Sequence, residues 1–119
     1  MSEIKVSTLA GPQLDYWVAK AEGKEVLIAG GMAQILYRVE QGVECYQVYS
    51  PSTDWSQGGP IIERERYSFA TIGTGMPDEN GNKPIVCIGR ESKATEGKTH
   101  LVAAMRCYVT SKFGEEVDE

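Results

Sequence analysis

The stretch Ile35–Tyr49, ILYRVEQGVECYQVY, decides how the rest of this chain is read. Two runs rich in β-branched and aromatic residues, Ile35 to Glu40 and Val43 to Tyr49, flank Gln41-Gly42, a two-residue turn whose glycine tolerates positive φ. An antiparallel hairpin is the simplest arrangement. Its second run sets Val43, Cys45, Gln47 and Tyr49 against Glu44, Tyr46, Val48 and Ser50. Neither set is purely polar, so both faces are expected to pack against something.

On the N-terminal side, Val26 to Ala29 reads as a short strand and Gly30-Gly31 interrupts it. Further back, Gly11-Pro12 opens a helix, because proline is tolerated where its missing N–H would be unpaired anyway. Leu14, Trp17, Val18 and Ala21 form its apolar stripe, Gln13, Asp15, Lys20 and Glu22 face out, and Gly23 caps it. On the C-terminal side, Ile61-Ile62, Arg66 to Ile72 and Ile85 to Ile88 read as extended. Gly73 to Lys83, with Pro77 and Asn80-Gly81, reads as a hairpin tip and Glu91 to Lys98 as a polar loop. A final helix begins after the N-cap Thr99, carries Leu101, Val102, Met105, Tyr108, Val109 and Phe113 on one face, and stops at Gly114. Lys112 suits its negative end. The class is therefore α+β: an antiparallel sheet of four to six strands flanked by an N-terminal and a C-terminal helix, in one domain over residues 1–114, with an acidic tail at 115–119.

Charge narrows the partners. The 119 residues carry 12 basic and 17 acidic side chains, a net charge of -5, but Glu115, Glu116, Asp118 and Glu119 lie in the tail. The body is close to neutral, which argues against direct nucleic-acid binding, since that requires a basic face to displace counterions. The tail is expected to be a frayed, solubilising end. Cys45, Cys87 and Cys107 are far apart, odd in number and without a C-x-x-C pair, so they read as small buried residues in a reduced cytosol. The one histidine, His100, excludes a histidine-based metal cluster, and no metal or cofactor is expected. No apolar run approaches the ~18 residues of a membrane span, so a soluble, cytoplasmic protein is expected.

Chemistry concentrates in Tyr49–Arg66, YSPSTDWSQGGPIIERER. Ser50, Ser52, Thr53 and Asp54 offer hydroxyls and a carboxylate that hold a loop. Trp55 either plugs the end of the core or stacks on a planar ligand with Tyr49, Tyr46 or Tyr67 as a second face. Gly58-Gly59-Pro60 is a turn into Ile61, or a set of amides open to phosphate. Glu63-Arg64-Glu65-Arg66 alternates sign, so in a strand both arginines share one face, as a solvated edge or a pyrophosphate fork. Arg106, at the border of the last helix's stripe, either snorkels outward, pairs with Asp54 or Glu63, or meets a ligand phosphate. His100 reads as a surface residue or polar contact. Nothing in the spacing of Asp54, Glu63 and Glu65 demands hydrolytic chemistry, so an enzyme is the weaker class.

At YSPSTDWSQGGPIIERER, at LDYWVAKAEG (Leu14 to Gly23) and at LVAAMRCYVTSKFGEEV (Leu101 to Val117), the chain resembles the NinX-like family of small phage proteins along its whole length. The resemblance implies a phage accessory protein acting inside the infected bacterium, and names no activity. By analogy with small phage proteins that sequester nucleotide signals of bacterial defence, the expected function is non-catalytic binding of such a signal, ADP-ribose-type or cyclic nucleotide, by a homo-oligomer. In that expectation Trp55 stacks the base, with Tyr49 beside it. Arg64, Arg66 or Arg106 pairs phosphate, the Gly58 and Gly59 amides assist, and Ser52, Thr53 or Asp54 holds ribose hydroxyls. The alternatives are a protein-interaction module acting on a replication, recombination or defence protein and, third, a hydrolase of nucleotide signals.

Overall fold

A computed structural model describes residues 3–38, 42–71, 85–89 and 94–118. Among them are three α-helices, α1 (Gly11–Ala21), α2 (Trp55–Glu65) and α3 (His100–Phe113). Eight strands accompany them: β1 (Glu3–Lys5), β2 (Val26–Ala29), β3 (Met32–Arg38), β4 (Glu44–Val48), β5 (Ser68–Thr71), β6 (Ile85–Ile88), β7 (Ala94–Gly97) and β8 (Glu116–Asp118). The class is α+β with antiparallel strands throughout, as expected. The strands divide into three small sheets, β2-β3-β4, β5-β6-β7 and the two-stranded ribbon β1-β8.

The antiparallel pairing inferred from Ile35–Tyr49 is present, with Leu36 opposite Tyr46 and Arg38 opposite Glu44 in register, while the expected two-residue turn at Gln41-Gly42 involves residues 39–41, which lie outside the described residues. Gly30-Gly31, which looked like an interruption, is the tight turn between β2 and β3. Both residues have positive φ, 61° and 75°, the geometry that a two-residue hairpin turn requires. The expectation that β4 packs on both faces fails, because Glu44, Tyr46, Gln47 and Val48 are all exposed. One face of its sheet rests on α1, and Met32, Tyr46 and Val48 stand out from the other.

Helix α3 lies at the centre, between α1 on one side and β6 and β7 on the other. Thr99 caps it as expected, its hydroxyl accepting the Val102 N–H at 3.1 Å, and Gly114 ends it at φ 88°. Leu101, Ala103, Ala104, Met105, Cys107, Tyr108 and Val109 are buried, more of its circumference than one stripe. Small residues make the close approach possible. A Cβ on Gly97 of β7 would fall 2.5 Å from the Ala103 nitrogen, and the Thr95 hydroxyl donates to the Ala103 carbonyl at 2.8 Å. Leu14 and Val18 of α1 complete the core with Met105 and Val109. Each such side chain contributes about 1.5–3 kcal/mol on leaving water.

Asp15, assigned to the solvent side of α1, is buried, and its carboxylate accepts the Ser52 N–H at 2.8 Å. Residues 55–65, read as a turn and a strand, form α2. Asp54 caps that helix by accepting from Ser56 N at 2.9 Å, and burial of Gly58 and Ile61 outweighs the poor helix propensity of Gly-Gly-Pro. The end of the chain is not frayed: β8 pairs with β1 in the register Glu3–Asp118, Ile4–Val117 and Lys5–Glu116, and Val117 is buried. Within the expected loop Glu91 to Lys98, residues 94–97 are strand β7, while 91–93 and the expected Gly73–Lys83 hairpin tip lie outside the described residues. No helix among the described residues is long and apolar enough to cross a membrane.

Candidate functional site

The residues singled out in Tyr49–Arg66 do not converge on one concavity. Trp55, the first residue of α2, is 57% exposed, which excludes the core-plug reading. Its ring centroid lies 6.5 Å from that of His100, which in turn meets Phe69 edge-on at 4.9 Å. Arg64 belongs to the last turn of the same helix, and nine residues at 1.5 Å rise place it roughly 13 Å along the axis from Trp55.

Arg64 is already engaged. It forks onto Glu22 at the end of α1 through two 3.1 Å bonds, reaches Glu65 at 3.1 Å, and donates to the Tyr108 hydroxyl at 3.1 Å. That hydroxyl donates to Glu22 at 2.7 Å, closing a triangle that joins the three helices. Burial pushes the Glu22 carboxyl up, but the bonds from Arg64 and Tyr108 overcome it and hold the group below its ordinary range. Burial and the bond to Glu22 push the Tyr108 phenol up to about 12. Arg66 is an exposed left-handed cap residue at φ 56°. It does not share a face with Arg64, because the strand that would have aligned them is a helix.

The other expected ligand contacts have structural duties. Arg106 donates from Nε to the Leu9 carbonyl and from Nη1 to the Glu96 carbonyl, both at 2.8 Å, and so fastens α3 to the chain before α1 and to β7. Gly58 is where it is because nothing larger fits: a Cβ there would fall 2.3 Å from the Pro51 carbonyl oxygen and 2.6 Å from Leu101 Cδ2. Its amide donates to Asp54 O at 2.9 Å. Gly59 is an interior helical residue as well. Tyr49 is buried in the core, and burial raises its phenol. Ser52 is buried against Asp15, Asp54 is occupied as a cap, and Thr53 is exposed beside it.

A cavity of about 450 Å³ lies elsewhere, lined by Gln13, Tyr16, Trp17 and Lys20 of α1, with Leu9, Ile28 and Phe113 around them and Ile4 and Asp118 from the β1-β8 ribbon. Its size falls within the usual range for small-molecule sites, roughly 300–1,000 Å³. Trp17 meets Phe113 edge-on at 5.4 Å and Tyr16 edge-on at 5.5 Å. The Lys20 ammonium lies 5.5 Å above the Tyr16 ring. Apolar walls with a few polar groups at the edge can take a flat ring and orient it. Sequence reasoning missed this site because it sent Gln13 and Lys20 to solvent and Trp17 and Phe113 to core stripes. The available signal was the spacing Gln13, Trp17, Lys20, which stacks an amide, an indole and an ammonium along one side of a helix.

The family model for NinX of bacteriophage P22 matches residues 5–112 of the chain. No curated protein matches it. The chain belongs to the NinX family of phage proteins.

Proposed function

We propose that this NinX family member is a non-catalytic binding protein that sequesters a nucleotide-derived signal of bacterial defence within the cytoplasm of the infected host, and that the ligand occupies the α1 cavity and not the Trp55 loop. The observation that carries this reading is the cavity of about 450 Å³, with Trp17, Tyr16 and Phe113 as walls and Gln13, Lys20 and Asp118 as polar groups. An aromatic wall favours a base, an amide can pair with a base edge, and an ammonium can meet a phosphate. Sequestration requires tight burial and no turnover, so it asks for no catalytic set.

A second reading, a protein-interaction module, is favoured by a different observation: Trp55 is exposed beside His100, and Met32, Tyr46 and Val48 project from the outer face of β2-β3-β4. Exposed aromatic side chains of this kind anchor protein interfaces. The same outer face supplies surface for the homo-oligomer that the sequestering reading expects.

Equilibrating the purified protein with ADP-ribose-type and cyclic nucleotide signals, removing free ligand and denaturing the protein separates the readings. Intact ligand is the expected release. Altered ligand would point to a hydrolase, and no retained ligand to the protein-interaction reading.

A further inference from the structure

We infer that the α1 cavity selects a ligand with one planar base and a single negative charge, and that among nucleotide signals it therefore takes a cyclic mononucleotide in preference to ADP-ribose or another dianion. The inference rests on the reading that this cavity holds the signal, and it names the chemistry of that signal.

The polar groups of α1 set the length. Gln13 and Lys20 are seven positions apart, roughly 10 Å along the axis, with Trp17 between them on the same side. A base edge at the Gln13 amide and a phosphate at the Lys20 ammonium leave the sugar and base against the indole, which is the span of one nucleotide. The edge-to-face pairing of Trp17 with Phe113 leaves a wall for one ring system.

Charge sets the valence. Among the described lining residues Lys20 is the one base and Asp118 the one acid. Asp118 sits on a ribbon that also carries Glu3, directly opposite it, and Glu116, with Lys5 opposite Glu116 as the ribbon's one base. The Glu3 carboxyl is raised by its contact with Glu116 and by the neighbouring carboxylates, so the ribbon that carries Asp118 is crowded with acids. A first negative charge meets Lys20, whereas a second finds no further base among the described lining residues and faces Asp118. None of the candidate arginines lines the cavity: Arg64 is bonded to Glu22, Arg106 to the Leu9 and Glu96 carbonyls, and Arg66 caps α2.

The test is calorimetric titration of the full chain near pH 7.5 with adenosine, 3′,5′-cyclic AMP, AMP and ADP-ribose, and with the corresponding guanosine, cytidine and uridine nucleosides, cyclic nucleotides and monophosphates. A 5′-monophosphate is mostly a dianion there, its second pKa being about 6. For the preferred base, the cyclic nucleotide is expected to bind about tenfold more tightly than the nucleoside and than either dianion. Lys20→Gln should bring cyclic nucleotide and nucleoside within about twofold of each other, and Asp118→Asn should narrow the gap between monoanion and dianion. Both side chains are at the surface, so the fold should be unaffected. Tighter binding of ADP-ribose or of a monophosphate, or an unchanged ratio in Lys20→Gln, overturns the inference and leaves the sequestering reading standing. Binding of a nucleoside with no charge preference does the same. Retention of no nucleoside or nucleotide at all overturns both.

Discussion

The carboxylate of Asp15 accepts the backbone N–H of Ser52 at 2.8 Å, inside the protein and across 37 positions of sequence. It fastens the loop before α2 onto α1, and removing it should leave a buried donor unpaired. Asp15→Ala is expected to cost about 1–3 kcal/mol in urea denaturation. Burial pushes the Asp15 carboxyl above its ordinary 3.8, against the pull of its bonds with Ser52. A raised carboxyl contributes stability that is present at low pH and lost as pH rises through the folded value. Asp15→Asn keeps the acceptor without the ionisation, so its stability relative to the parent should grow as pH rises from about 4 towards neutrality.

Two neighbouring glycines of α2 should respond in opposite directions. Gly58→Ala would drive a methyl into the Pro51 carbonyl and Leu101, and a loss of about 1–3 kcal/mol is expected from overpacking. At Gly59 the nearest atom to a new Cβ is Trp55 Cε3 at 3.7 Å, an ordinary contact. Gly59→Ala should therefore stabilise by about 0.5–1 kcal/mol through helix propensity. Thermal unfolding of the pair checks both; equal effects would remove the packing account of Gly58.

The Arg64–Glu22–Tyr108 triangle should be acid-sensitive. Glu22 is held below its ordinary 4.5, so its contribution is present above that value and lost as pH falls through the folded one. With the Arg64 side chain 50% exposed, Arg64→Ala should cost only about 1 kcal/mol at pH 7. The difference from the parent should shrink below about pH 4.5. Denaturation at a series of pH values measures this, and a difference independent of pH would mean that packing, not charge, is what Arg64 provides.

Trp55→Ala and Trp17→Leu separate the two candidate ligand sites. Trp55 is largely in solvent, so its removal should change stability by no more than about 0.5 kcal/mol and leave cyclic nucleotide binding intact. Trp17→Leu keeps an apolar contact with the core and removes the flat wall, so binding should fall about tenfold or more while the unfolding transition stays cooperative. Calorimetry on both variants is the measurement; loss of binding in Trp55→Ala alone would move the site to the α2 loop.

Local pattern made the hairpin, α1, α3 and the Thr99 cap legible in the sequence, because each is written in consecutive residues. Helix α2 was not legible: Gly58-Gly59-Pro60 opposes a helix, and only packing of Gly58 on Leu101 and Ile61 in the core reverses that preference. The same limit hid the partners of Asp15 and Arg106, whose bonds reach 37 and 97 positions away. Of the two readings open for Trp55 the structure leaves the exposed one, while Arg64 and Arg106 are held by Glu22 and by the Leu9 and Glu96 carbonyls, partners that no spacing rule reveals, and Arg66 ends α2. The cavity went unseen because its walls come from both ends of the chain.

Placing α3 at the centre also dictates when the molecule can form during synthesis. Helix α1 packs on β2 and β3 as well as on α3, whereas the sheet β5-β6-β7 rests chiefly on α3, a segment translated after it, so that sheet finds its support only once residues 100–113 have left the ribosome. Until then the nascent polypeptide carries Cys87 and the inner face of that sheet uncovered, a state in which holding chaperones have most to bind.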